Sequence, residues 1–282
     1  MTKVDLDHLR TWVGKESQIA DDLCVFPTRA LAAALDRDVT PGKGDRLPLP
    51  WHWLYFLDVP MANATGPDGH PKKGDSLPPV PLARRMWAAG SLHVENSLIL
   101  GTAAYKRSKI RSIDFKEGKS GPLVFVNVDH LIYQNERLCI SEEQSIVYRE
   151  MPDGPTPLPP GEIAPNDWDW AKTVTPDPVF LFRFSALTYN GHRIHYDRDY
   201  ATQKEHYPGL VVHGPLLATL LLDLATTNCS DKQIREFNFR AVRPIFDLAP
   251  FQLRGKRHGN QVKLWAVDPQ GFIATSATCV LV

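Results

Sequence analysis

Gly209-Leu210-Val211-Val212-His213-Gly214-Pro215-Leu216-Leu217 opens an apolar segment that runs on through Leu220, Leu221 and Leu224. Gly214 is a tolerable helix cap. Pro215 suits the first helical position, where its missing N–H costs nothing. The leucines that follow cover more than one face, which predicts a helix buried nearly all round. Something must wrap such a helix. The sequence after it supplies four β-type runs, over residues 233–242, 246–255, 261–267 and 272–281. Turn signals separate them at Arg243-Pro244, Arg257-His258-Gly259-Asn260 and Asp268-Pro269-Gln270-Gly271. A long apolar helix with an antiparallel sheet is an α+β arrangement, and a curved sheet wrapped on the helix buries it economically.

The same order is legible upstream. Residues 179–187 read as a strand that leads into a polar knot, Thr188-Tyr189-Asn190-Gly191-His192-Arg193-Ile194-His195-Tyr196-Asp197. Residues 151–178 hold eight prolines and read as a linker between two units, 1–150 and 179–282. In the first unit, residues 98–149 read as three long strands in an antiparallel meander with a turn at Asn135-Glu136. Residues 2–14 suit a short helix, and Thr28 is a plausible cap for a second helix over residues 28–36. Residues 49–57 read as an aromatic strand beginning among prolines at a sheet edge. Residues 60–82, rich in proline and glycine, read as a surface flap of the kind that covers a site. Arg84, Arg85 and Trp87 follow it. Guanidinium forks suit phosphate and indole suits an aromatic base, although a solvated pair beside a half-buried tryptophan accounts for them equally.

Composition narrows the function. The 282 residues carry no net charge by formal count, so nothing favours nucleic acid or an anionic membrane. No apolar run is long enough to span a bilayer, and residues 1–8 are charged rather than signal-like. The four cysteines stand far apart, without the spacing of a zinc site or disulfide framework. The expectation is a cytoplasmic protein with reduced thiols. Neither a metal site nor a glycine-rich nucleotide loop is expected: His192 and His195 lie in a loop-like stretch with no companion Cys or Glu cluster.

Thr188 to Ala201 resembles the motif of the MaoC-like, or R-specific, enoyl-CoA hydratases. His195 matches the motif histidine, Ile194 the aliphatic residue before it, and Ala201 the alanine after a five-residue gap. Gly209 to Gly214 resembles that family's entry into its central helix. The resemblance spans roughly residues 50 to 282 and is similar in detail to the mesaconyl-C4-CoA/itaconyl-CoA hydratase branch, which shares the Tyr-Asn-x-His-x-Ile-His-Tyr-Asp version seen here. It implies a double hotdog: a degenerate N-terminal half over residues 1–150, similar to fatty-acid-synthase-type dehydratases, and a catalytic C-terminal half over residues 179–282. Such a chain pairs its own halves, so a monomer suffices and a homo-oligomer stays open. CoA enters as part of the substrate, with no separate cofactor.

The chain departs from the broad motif at two positions. Asn190 stands at the aspartate position and His192 at the asparagine position. An amide does not titrate, so Asn190 is no general base. Hydration of an unsaturated thioester needs a base for water, a proton for Cα and donors for the thioester oxyanion. His195 suits proton transfer. Asn190 is left to hold water or orient His195, and Asp197 or His192 to supply the second polar function. Backbone N–H groups of His213, Gly214 or Leu216 at the helix start suit the oxyanion. Competing readings stay open: His213 as a buried hydrogen-bonded ring, His192 as a loop brace, Asp197 as a loop cap, Tyr189 as packing, and Arg193 as a surface charge or the partner of a substrate carboxylate. The expected activity is hydration of itaconyl-CoA or mesaconyl-C4-CoA to citramalyl-CoA. The alternatives are a 3-hydroxyacyl-thioester dehydratase for longer chains and a non-catalytic acyl-CoA-binding module.

Overall fold

The computed structural model describes residues 4–118, 121–155 and 157–282. In chain order these form α1 (Leu6–Arg10), β1 (Glu16–Asp21), α2 (Val25–Ala34), β2 (Arg84–Val94), β3 (Ala104–Gly118), β4 (Gly121–Gln134), β5 (Arg137–Arg149), β6 (Trp170–Val174), α3 (Pro178–Leu187), α4 (Gly214–Asn228), β7 (Ile234–Ala241), β8 (Phe251–His258), β9 (Gln261–Val267) and β10 (Ile273–Leu281). Short helical turns at Trp51–Leu54, Ala62–Ala64, Arg193–His195 and Tyr200–Lys204 lie between them.

All ten strands join one antiparallel sheet in the order β1-β3-β4-β5-β2-β7-β10-β9-β8-β6. Read outward from the middle, each half has the same connectivity: its second strand lies at the joint, then the fifth, fourth, third and first. Each half also carries a helix between its first and second strands, α2 and α4. This repeat is the double hotdog. The two sheets expected from sequence meet edge to edge through β2 and β7, which pair from Ala89↔Arg240 to His93↔Glu236.

α4 buries nine residues, including Leu216, Leu217, Leu220, Leu221, Leu222 and Leu224. Each buried leucine contributes about 1.5–3 kcal/mol by leaving water. The core around α4 is continuous with the first half through Leu92, Leu98, Ile132 and Ile140. A smaller core gathers Leu9, Val80, Leu82, Ile110, Val124 and Tyr148 beneath the far ends of the long strands. The turn at Asn135 and Glu136, both with positive φ, closes β4 onto β5 as expected.

Several elements differ from expectation, each for a local reason. Residues 179–187 belong to α3, not to a strand. The Asp177 carboxylate accepts from the N–H groups of Val179 and Phe180 at 2.8 and 3.0 Å, and Pro178 takes the first helical position. Its buried residues are Leu181, Phe184 and Ser185, at helical spacing. Residues 51–54 coil into a tight turn: the Trp51 and Trp53 N–H groups donate to the Pro48 and Pro50 carbonyls. Aromatic composition there reported burial, not extension. α2 starts at Val25, and Thr28 lies inside it, its hydroxyl 2.7 Å from the Tyr55 hydroxyl. The stretch read as linker contains β6, an edge strand paired with β8. α4 starts one residue early, so His213 is the cap, Gly214 the first helical residue and Pro215 the second.

Candidate active site

The polar knot begins where α3 ends. Tyr189 takes a left-handed conformation (φ 49), and the Asn190 N–H donates to the Ser185 carbonyl at 2.8 Å. The Asn190 Oδ1 accepts from the His192 N–H at 3.0 Å, which folds the chain back toward the core. One tight turn then presents His195 inward, where it is 7% exposed. Ala201 is fully buried; its N–H donates to the Asp197 carbonyl and its carbonyl accepts from Tyr207.

The His195 Nδ1 lies 2.7 Å from the Val211 carbonyl. A carbonyl only accepts, so Nδ1 carries the proton and Nε2 holds the lone pair. Val211 belongs to the segment that enters α4, so one hydrogen bond ties the motif histidine to the helix start. The His213 ring stacks on His195 at 3.7 Å, and its Nε2 lies 2.8 Å from the Ser185 hydroxyl. On the other side the His192 ring stands edge-on to His195 at 5.5 Å, and His70 lies over His192 at 4.0 Å. Four imidazoles thus form a row from the flap to α3.

Burial, then the neighbouring rings of His213 and His192, holds His195 well below the ordinary imidazole value. Burial, then His192, lowers His213 to about 3. Burial also lowers His70, to about 4, against the opposing pull of Asp68. These three rings are neutral near pH 7.

The flap is where the sequence placed a cover, and it lies on the knot. A Cβ added to Gly69 would stand 1.8 Å from the Gly191 carbonyl oxygen. Gly69 has φ 86, so glycine is required twice over. The Arg193 N–H donates to the Asp68 carbonyl at 2.9 Å, and the Arg193 Nη1 to the Pro67 carbonyl at 3.1 Å.

Other candidates take structural posts. Arg193 donates through Nε and Nη2 to the Asp197 Oδ2 at 3.0 and 2.7 Å and lies over the Tyr200 ring. The other Asp197 oxygen accepts from the Tyr200 N–H. Both side chains therefore bind the turn together. Tyr189 is 54% exposed on the rim of the knot. Arg84 is buried; its Nε donates to the Glu205 Oε2 at 2.9 Å, its Nη2 contacts the Glu205 carbonyl, and its guanidinium lies over Tyr207. It anchors Glu205 and is not presented to a phosphate. Arg85 is half-buried, close enough for its charge to act on His70. The Trp87 ring packs with Trp53 and Phe239 in a cluster of three, and its carbonyl lies 3.5 Å from where a Gly214 Cβ would be. Leu216 buries its side chain in the core. Its N–H and that of Gly214 belong to the first turn of α4, where no intrahelical partner exists and the dipole is positive.

Sequence reasoning did not single out Asp68, His70, Ser185 or Glu205. Asp68 and His70 sit in a loop without periodicity, and Glu205 follows His195 by a π-helical turn with no motif spacing. Glu205 places Oε1 3.5 Å from the His192 Nε2. Burial raises the Glu205 carboxyl, but His192 and Arg84 outweigh it and the net shift is downward. Asp68, His70 and His192 each offer an atom within 4.8 Å of the others, a set a metal ion could use. His70 Nδ1 is already 3.0 Å from the Asp68 carboxylate, and its ring lies against His192.

Comparison with known proteins agrees with this architecture. The model of the hydroxyacyl-thioester dehydratase type 2 family matches residues 50–247. The chain is 48% identical over 272 residues to the mesaconyl-C(4)-CoA hydratase of Chloroflexus aurantiacus, covering 96% of each protein. In fold it is similar to a MaoC-like dehydratase from Phytophthora capsici (TM-score 0.67, 14% identity, 99% of this chain and 98% of the other). It is also similar to a Mycobacterium tuberculosis protein described as a double hotdog (TM-score 0.53, 13% identity, 96% of each chain).

Proposed function

The chain belongs to the hydroxyacyl-thioester dehydratase type 2 family, and from that footing we propose that it is a hydro-lyase adding water across the Cα=Cβ bond of an unsaturated acyl-CoA. Its substrate is mesaconyl-C4-CoA, whose double bond is conjugated with the thioester, or itaconyl-CoA, whose double bond lies one carbon further out and first moves into conjugation as Cα loses a proton and the terminal methylene carbon gains one. The product is citramalyl-CoA, in the cytoplasmic breakdown of itaconate-type acids. The observation that carries this reading is the 48% identity to a mesaconyl-C(4)-CoA hydratase over nearly the full length, with His195 held as a neutral base beside the start of α4.

The chemistry follows from the groups in place. The His195 Nε2 takes a proton from water as the water oxygen bonds to Cβ, and the π electrons shift through Cα onto the thioester carbonyl. The Gly214 and Leu216 N–H groups at the positive end of α4 hold that oxygen while it carries charge. Collapse of the enolate takes a proton at Cα, and the imidazolium of His195 is the nearest source. Asn190 has committed Oδ1 to His192, which leaves its NH2 to hold the attacking water. CoA arrives with the substrate, and the steps draw on no further cofactor. The catalytic half is the second, residues 179–282 together with β6 at its edge, and the first half contributes the flap.

The test follows the loss of the conjugated thioester absorbance with mesaconyl-C4-CoA and a series of straight-chain enoyl-CoAs, and the formation of citramalyl-CoA by chromatography with itaconyl-CoA. His195→Ala is expected to lower kcat by about 10²–10⁴-fold in a folded protein. Unaltered turnover in that variant removes the mechanism. A preference for long straight chains selects the dehydratase reading instead, and tight binding without turnover selects the binding module.

A further inference from the structure

The motif carboxylate of the broad family is absent here, because Asn190 occupies its place. Two carboxylates reach the histidine row from other segments. Glu205 comes from the π-helical turn, clamped by Arg84, with Oε1 3.5 Å from the His192 Nε2. Asp68 comes from the flap. Its Oδ2 lies 3.0 Å from the His70 Nδ1, and its Oδ1 accepts from the His70 backbone N–H at 3.1 Å.

This pair is surplus to seating the flap. The Gly69–Gly191 contact and the Arg193 bonds to the Asp68 and Pro67 carbonyls already dock it through backbone atoms. Placing a carboxylate and an imidazole where only 27% and 18% of their side chains meet water has a desolvation cost that anchoring alone does not explain. The carboxylate fixes which His70 nitrogen carries the proton: Nδ1 donates to Asp68, and Nε2 is left free of that bond. The ring so fixed lies 4.0 Å over His192, whose own ring stands edge-on to His195.

We propose that Asp68 and His70 are a positioning pair of the active site. They hold His192 against His195 from the flap. His192, gripped between His70 and Glu205, is then held edge-on to His195. This rests on the hydratase reading above.

The experiment uses the full chain and the enoyl-CoA substrate that the unaltered protein hydrates best. His70→Gly is expected to lose about 10²-fold in kcat with KM changed by less than about threefold. Free imidazole, filling the space left at residue 70, should restore at least about a tenth of the lost rate, which a loop that has merely come loose would not show. Asp68→Asn should lose about tenfold in kcat and respond little to imidazole, because the ring is still present but unoriented. Three results overturn the proposal while leaving the hydratase reading intact: kcat of His70→Gly within about threefold of the unaltered protein, a rise in KM alone, or a kcat loss that imidazole does not relieve. No hydration by the unaltered protein of any enoyl-CoA overturns both.

Discussion

Ser185 shows how much hangs on one hydroxyl. It is buried, and its Oγ is the partner of the His213 Nε2 inside the core. Ser185→Ala leaves that nitrogen without a partner, at a cost of about 1–3 kcal/mol. A urea titration should show the midpoint falling with an unchanged slope, and an unchanged midpoint would mean the bond contributes nothing. The row also sets a pH dependence. The folded values of His70 and His213, about 4 and about 3, lie below the unfolded imidazole value of about 6.5. Between those limits the unfolded chain binds more protons than the folded one. Stability is therefore full above about pH 6.5 and falls as pH drops, by up to about 1.4 kcal/mol per pH unit for each such ring. Asp68 and Glu142, lowered to about 2, add their own losses only in more acidic solution. Urea midpoints at pH 7.5, 6 and 5 read the histidine part alone, and a flat profile over that range contradicts the neutral row. At this scale the sequence marked His195 and the entry to α4, which the structure joins through the bond from His195 Nδ1 to the Val211 carbonyl. It was silent at Asp68 and Glu205, because a carboxylate in a loop looks the same whether it meets water or a buried ring.

Elements differ in how openly the chain declares them. The β-runs of the second half and the meander of the first carry period-two or β-branched patterns, and they fall within a few residues of β3 to β5 and β7 to β10. α3 was misread because its apolar run was weighed by composition, whereas Asp177-Pro178 before it is a helix-start signal. Asp177→Ala should therefore cost about 1 kcal/mol by removing the cap, seen as a lower thermal midpoint. The flap is a different kind of element, held by contact rather than by pattern. Gly69→Ala places a methyl group within 1.8 Å of the Gly191 oxygen, so the flap must lift. We expect kcat/KM to fall by about 10²-fold, as small misplacements of catalytic groups do, with little change in the unfolding midpoint. Equal losses in both would show that the flap is part of the core instead.

For the whole molecule, the division into two halves was legible from repeated composition, but their fusion was not. Nothing local in β2 or β7 says that they will pair with each other, because that register is set by the meeting of two finished surfaces. One sheet and one core running from Leu92 and Ile140 to α4 predict a single unfolding event. Scanning calorimetry should give one transition whose calorimetric and van't Hoff enthalpies agree, and two resolved transitions would make the halves independent. Residues 179–282 alone should not fold, since the joint would expose β7 and strip α4 of its contacts with β2.

The order of the strands has one more result, for the chain among its own copies. A single open sheet has only two free margins, and here they are β1 and β6, of six and five residues beside inner strands of up to fifteen. β1 pairs with β3 as far as Glu16↔Lys109, and Ile110 beyond it bonds through its backbone to Gly14 and Lys15. Beyond that point β3 presents Arg111, Asp114, Lys116 and Glu117. A newcomer strand would have to align its backbone with that mixed row of charges or dock on a margin too short to hold it. Margins so abbreviated and so charged work against stacking of molecule upon molecule into fibres.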